Sequence, residues 1–334
     1  MIRRVAIVFL AVGAAGACRD FTPTVRQIEP GALAVTTAPS ATIEVLDWGG
    51  NGIPLVFLAG GGHTAHEFDE FAPRLTDEFR VVGITRRGVG ASSASRHQVA
   101  RDGITDIAKV LEALEFESAV LIGHSQGGLE AAQFAEAYPE RCLGIVHLDS
   151  AYLGGSRAVA EALGDALPPE PPGPTAADSE SLSTMRAYIE RTHGFPLPES
   201  EIRATNRLDD EGRVIGRAPH NTLPVDDRGG TLPPYRWEAI DCPSLGLYAV
   251  TAPLETWLPH YAARYDSLSV EERQQGQAYV RAFSAWTAEQ RAFFGSFPQN
   301  EVVEFLASSH YFFLEQPEQE RALLEIRRFA SRLN

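Results

Sequence analysis

From Ala41 onward, short apolar runs alternate with stretches whose apolar residues recur at spacings of three and four. The runs are TIEVLDW (42–48), IPLVFLAG (53–60), FRVVGIT (79–85), SAVLIG (118–123), CLGIVHLD (142–149), SLGLYAV (244–250) and NEVVEFLA (300–307). Strand-like runs that alternate with helical segments predict a mostly parallel sheet. Gly103–Leu114 and LEAAQFAEAYPE (129–140) have the spacing of amphipathic helices, so both faces of that sheet are expected to be covered. Helices are also expected over 270–294 and over 318–333.

The rhythm breaks over 152–238. PPEPPGP (168–174) is followed by a helical stretch, SESLSTMRAYIERTHG (179–194), and by ATNRLDDEGRVIGRA (204–218), which reads as a hairpin turning at Asp210-Glu211-Gly212. Proline at this density cannot continue a sheet, so the segment is read as an inserted lid over the strand ends. The core is then expected in two pieces, 41–151 and 239–334. Residues 18–40, rich in Pro, Thr and Ala without periodicity, read as a leader and linker.

At the N-terminus, Arg3 and Arg4 precede the apolar run VAIVFLAVG and the small residues AAGA, the pattern of a secretory signal over 1–17. Export to the periplasm or the exterior is the expectation. Two processings compete: cleavage after Ala17, or lipidation of Cys18 with anchoring to a membrane. Composition is that of an ordinary globular chain, with 334 residues, 44% hydrophobic and 22% charged. The 29 basic and 44 acidic side chains give a formal charge of −15, which argues against a nucleic-acid partner. Nine histidines scattered singly offer no zinc spacing, so no metal and no cofactor is expected. Cys142 and Cys242 each precede a strand-like run and are read as two buried thiols, or as a bridge if adjacent strands bring them together.

The chemistry is carried by Gly123-His124-Ser125-Gln126-Gly127, which follows the strand run AVLI and precedes the helical LEAAQFAEAYP. A strand-to-helix turn flanked by small residues is the setting of a nucleophile elbow. With LVFLAGGGH (55–63), TRRGVGASS (85–93), this elbow and ASSHYFFLEQPE (307–318) in that order, the chain resembles the α/β-hydrolase superfamily, and specifically its lid-bearing esterase-like members, from Ala41 to Asn334. The resemblance implies an eight-stranded, mostly parallel sheet flanked by helices. It also implies Ser125 as nucleophile, His310 as general base, and an oxyanion hole from the backbone N–H groups of Gln126 and Gly61.

The family's usual acid position, just past SLGLYAV, is occupied by Ala252. Two acids remain: Asp149, at the end of CLGIVHLD, which is preferred, and Glu255, three residues beyond the vacant position. Ala59 stands where a histidine often opens the oxyanion loop, and Thr85 where an aspartate often opens the Arg-Gly segment. Arg86 and Arg87 are read as serving the fold, His63 and His66 as loop histidines, and His124 as a packing residue.

Serine at the elbow argues against the dehalogenase and epoxide-hydrolase branches, whose nucleophile is a carboxylate. The leading expectation is a serine hydrolase cleaving a small-molecule carboxylic ester through an acyl-enzyme. A peptidase, thioesterase, lactonase or carbon–carbon hydrolase would use the same residues. A lyase or cofactor-free oxygenase of this fold, or a non-catalytic binding protein, are the readings from other classes. Substrate identity and oligomeric state have no signal in the sequence.

Overall fold

Strand β4 (Pro54–Leu58) sends Leu55 and Phe57 to one face of the sheet and Val56 and Leu58 to the other, and all four are buried. Strands β6 (Ala119–His124) and β7 (Cys142–Leu148) repeat the division, with Val120, Ile122, Val146 and Leu148 on the first face and Leu121 and Ile145 on the second. A strand buried on both sides reads as a continuous apolar run, and it needs a layer of cover on each side. The computed structural model describes residues 21–93, 100–150, 172–218, 236–250 and 268–333.

The first face is covered by α6 (Glu318–Ala330), through Ala322, Leu323, Ile326 and Phe329, and by Phe68, Phe71 and Phe313. On the second face lie α1 (Ala100–Ala113), with Ile107, Val110 and Leu111, and α2 (Gln126–Ala137), with Ala131, Phe134 and Ala135. Phe294, near the end of the long α5 (Val270–Gly295), joins that second layer. These layers sit where the apolar spacing in the sequence put them.

Nine strands form the main sheet, in the order β1-β2-β3-β5-β4-β6-β7-β10-β11. From β5 (Arg80–Ile84) to β10 (Ser244–Val250) and β11 (Asn300–Leu306) every neighbouring pair is parallel. Strands β1 (Thr24–Glu29), β2 (Ala32–Ala38) and β3 (Ala41–Gly49) run as an antiparallel extension at the β5 edge. This corrects two expectations: the sheet has nine strands rather than eight, and residues 24–38 are sheet rather than linker. The reason is physical. β1 is exposed along its whole length and is held by pairing to β2, so it carries no hydrophobic alternation to detect. In β2 the buried residues are small, Ala32, Ala34, Val35 and Thr37, and they resemble linker composition.

Between β7 and β10 the described residues form α3 (Leu182–His193), α4 (Glu199–Thr205) and a hairpin of β8 (Asn206–Leu208) and β9 (Val214–Arg217). The hairpin turns at the expected Asp210-Glu211-Gly212, with Gly212 at φ 82°. Helix α3 opens on a capping box between Ser181 and Thr184 and closes on Gly194 in the left-handed conformation. Leu182, Met185, Tyr188, Leu197, Ile202 and Val214 bury their side chains in the same cluster as the first face of the sheet. This part of the segment is therefore fused to the core by apolar packing.

Cys142 and Cys242 are both free thiols, with their sulfurs 3.7 Å apart at the starts of neighbouring strands. The expected export signal, Cys18, Glu255, and residues 152–171 and 219–235 of the 152–238 segment lie outside the described residues.

Phe57 is fully buried, and its ring meets those of Trp48, Phe68 and Phe71 at centroid distances of 6.0, 5.0 and 6.2 Å. Phe57→Ala is expected to cost about 3–5 kcal/mol of unfolding free energy, measured by urea denaturation, because the layers on either side cannot collapse into the space.

Candidate active site

The loops that follow β4, β6, β7 and β11 leave the sheet at one rim, because parallel strands present their carboxyl ends together. The turn after β6 holds Ser125 at φ 49° and ψ −116°, a conformation that costs a non-glycine residue strain. Its neighbours must be glycine: a Cβ on Gly123 would lie 2.3 Å from the Gly128 nitrogen, and one on Gly127 would lie 2.1 Å from the Leu58 carbonyl oxygen. The turn is fixed from outside by the Ser125 N–H, which donates to the Leu148 carbonyl at 3.1 Å, and by Ser150 Oγ, which donates to the Ser125 carbonyl at 2.6 Å. Ser125 is half-buried at the head of α2, whose first N–H groups have no partner within the helix.

Asp149 follows β7, also at positive φ, 44°. Its Oδ1 accepts from the Ala249 N–H at 3.1 Å, and its Oδ2 lies 2.6 Å from His310 Nδ1. The structure thus brings Asp149 to His310, while Glu255 lies outside the described residues. The carboxylate is nearly buried, while 41% of the His310 side chain is exposed. The His310 ring lies against that of His124, centroids 4.5 Å apart, and so sits beside the elbow. Among the described residues, Ser125 Oγ and His310 share no hydrogen bond.

The glycine-rich loop after β4 passes the head of α2, and a Cβ on Gly61 would lie 3.0 Å from Gln126 Oε1. Arg86 anchors the start of this loop, donating to the Ala59 and Gly60 carbonyls at 2.9 and 3.0 Å while paired with Glu130. The Gly60 N–H donates to Glu67 Oε2 at 2.9 Å. Thr85, in the place of the family's aspartate, accepts from the Ala65 N–H and donates to Glu44. Arg87 pairs with Asp106. His66 bonds Asp69 at 2.7 Å, as a loop histidine.

Sequence reasoning missed a buried polar network beneath this loop. Glu67 Oε1 lies 2.7 Å from His124 Nδ1, and neither side chain has any exposure. Burial alone raises a carboxyl pKa, yet His124, His63 and the bonds from His124 and Gly60 bring Glu67 down to about 2. His124 Nε2 meets the His310 carbonyl oxygen at 3.1 Å, so both its nitrogens face acceptors, and only a positively charged ring would donate to both. Burial works against that charge and pushes the His124 pKa down. A second pair joins His63 Nδ1 to Glu201 Oε1 at 2.9 Å, and His63 Nε2 to the Tyr311 hydroxyl at 3.0 Å. Burial opposes the His63 charge, but Glu67 and Glu201 raise its pKa. Burial raises the pKa of Glu201 itself and of the Tyr311 hydroxyl. No local signal in the sequence links Glu201 to residues 137 positions away. The histidines were visible, but their partners were not.

Among the described residues no group of three or more His, Cys, Asp and Glu side chains converges as a metal site. The arrangement brings together a serine on a strained backbone, a histidine bonded to a carboxylate, and backbone N–H groups at a helix head.

The family model described as alpha/beta hydrolase fold matches residues 53–232. A serine hydrolase-like protein of Danio rerio is 34% identical over 112 residues, covering 31% of this chain and 33% of that protein. A non-heme chloroperoxidase of Streptomyces lividans is 38% identical over 111 residues, covering 32% of this chain and 40% of its own. The chain thus spans well under half the length of these relatives. The crystal structure of E-2-(acetamidomethylene)succinate hydrolase superposes with a TM-score of 0.61 at 20% identity, over 92% of this chain and 99% of that one, which bears on the fold alone.

Because Glu67 is held near 2 against an ordinary value of 4.5, its ionised form stabilises the fold above about pH 4.5, and that contribution is lost as pH falls toward 2. Glu67→Gln is therefore expected to be less stable than wild type at pH 7, with the gap closing as pH falls from 4.5 toward 2 in thermal unfolding at stepped pH.

Proposed function

The chain belongs to the α/β-hydrolase family, and from that premise we propose that it is a serine hydrolase cleaving small-molecule carboxylic esters through an acyl-enzyme. The observation that carries the reading is the Asp149–His310 hydrogen bond of 2.6 Å beside an elbow that holds Ser125 at φ 49°. In the neutral imidazole, Nδ1–H donation to Asp149 puts the lone pair on His310 Nε2, the tautomer a general base requires.

In this reading His310 takes the Ser125 proton as Oγ attacks the ester carbonyl, and Asp149 stabilises the imidazolium that forms. Negative charge builds on the carbonyl oxygen, and the N–H groups of Gln126 and Gly61 receive it. The first belongs to the unsatisfied head of α2, and the second to a residue without a side chain lying against Gln126. The tetrahedral species then collapses, His310 gives its proton to the leaving alcohol, and water repeats the sequence to release the acid. Segment 1–17 is proposed as an export signal, with cleavage and lipidation parting at Cys18.

The wild-type protein is expected to hydrolyse short-chain nitrophenyl esters and to be labelled at Ser125 by a fluorophosphonate, with both properties lost in Ser125→Ala. Asp149→Asn is expected to lower kcat by about two decades or more, and Glu255→Gln to leave it within a few-fold, measured on the same ester. Loss of turnover in the second variant and not the first would reassign the acid.

A further inference from the structure

Two ends fix the loop that carries Gly61. Its start is held by the core, through Arg86 and Glu67. Its end is held by Glu201, on α4, from the segment between β7 and β10. The Glu201 carboxylate is completely buried and accepts from the Thr64 N–H, 3.2 Å from each oxygen, from the Thr64 hydroxyl, and from His63 Nδ1 at 2.9 Å. Gly61 and Gly62 lie between these anchors, have no side chains, and take no part in the bonds. Their path is therefore set by the anchors. Through His63 the same carboxylate reaches the Tyr311 hydroxyl, next in sequence to His310. Phe195, also from the β7–β10 segment, stacks on the Tyr311 ring at 3.8 Å.

Charge gives this link a second role. An uncompensated carboxylate bonded to Thr64, three residues along the loop from Gly61, would oppose an anion forming there, in a setting where little water screens it. His63, whose pKa Glu67 and Glu201 raise, stands between the Glu201 and Tyr311 contacts and is placed to supply the counter-charge when protonated.

We propose that Glu201 is a positioning residue for the oxyanion loop: by fixing Thr64 and His63 it holds the Gly61 N–H where negative charge develops, and it makes the β7–β10 segment a working part of the site. The proposal rests on the serine-hydrolase reading above. Glu201 does not touch the reacting atoms, so its removal acts on the transition state more than on substrate binding.

The test compares wild type with Glu201→Ala, Glu201→Gln and Thr64→Val. It uses a nitrophenyl ester for kcat and KM, an arylboronic acid as a mimic of the tetrahedral anion, and thermal unfolding to establish that each variant is folded. Glu201→Ala is expected to lower kcat by about tenfold or more, less than the 10²–10³ for outright loss of a donor. KM should stay within about twofold, and affinity for the boronic acid should weaken in step with kcat. Glu201→Gln keeps an oxygen acceptor for Thr64 and should recover much of kcat. Thr64→Val, which removes a donor from the loop side, should lower kcat in the same direction. A folded Glu201→Ala variant with wild-type kcat, or with a raised KM alone and unchanged boronic-acid affinity, would overturn the role. If Glu201→Ala does not fold, wild-type kcat in both remaining variants would do the same. A wild-type protein that neither turns over the ester nor takes a fluorophosphonate at Ser125 would remove the serine-hydrolase reading itself, and the positioning role with it.

Discussion

Parallel pairing is the constraint from which the rest of this structure follows. Six strands, β5, β4, β6, β7, β10 and β11, run in one direction, so the chain must cross a face of the sheet to begin each new one. Both faces are covered as a result, and every carboxyl end emerges at the same rim. Gly61, Ser125, Asp149 and His310 are far apart in sequence and meet because each stands just beyond such an end. The apolar layers make that rim rigid, and the strain at Ser125 and Asp149 is borne by it. A positive φ at each residue persists because backbone bonds to Leu148 and Leu247 hold the two turns against the sheet.

Beneath the rim the interior is polar, which is costly for a fold otherwise closed by Phe, Leu, Ile and Val. Glu67, Glu201, His124 and Thr64 are essentially inaccessible, and each has a partner at hydrogen-bond distance. Buried charges of this kind are tolerated when paired, and they give direction where apolar packing gives only volume. Here they aim three loops at once. Glu67 reaches the glycine loop and the elbow histidine, His124 reaches the backbone of His310, and Glu201 reaches the far end of the glycine loop. The chemistry at the rim is supported by a layer of hydrogen bonds that an apolar core cannot supply.

Much of this was legible in the chain itself, for identifiable reasons. Seven apolar runs became β3 to β7, β10 and β11; β4 to β7 and β10 are buried on both faces and so leave a nearly uninterrupted hydrophobic record, while β11, at the sheet edge, buries Phe305 alone. The elbow announced itself because its geometry tolerates only small flanking residues, and the turn at Asp210-Glu211-Gly212 because a left-handed residue favours glycine. Strands β1 and β2 were illegible: one buries nothing, and the other buries only alanine, valine and threonine. Asp149 could be narrowed to one of two acids, since a strand end is a recognisable place, but only the fold brings it to Nδ1 of His310. Glu67 and Glu201 left no trace, because a buried carboxylate on a short helix looks in sequence like any exposed one.

The crossover between β7 and β10 contributes both apolar side chains to the main core and the Glu201 carboxylate to the glycine loop. Long crossovers in this fold are natural places for sequence to diverge, since the sheet is indifferent to what happens between two strand ends. In this protein that freedom is curtailed. A replacement segment, whether acquired in evolution or grafted by design, has to return an acceptor to the Thr64 amide and hydroxyl and a counter-ion to His63. Otherwise three buried donors are left without partners. The segment and the glycine loop are therefore physically one unit, although some 137 residues separate Thr64 from Glu201.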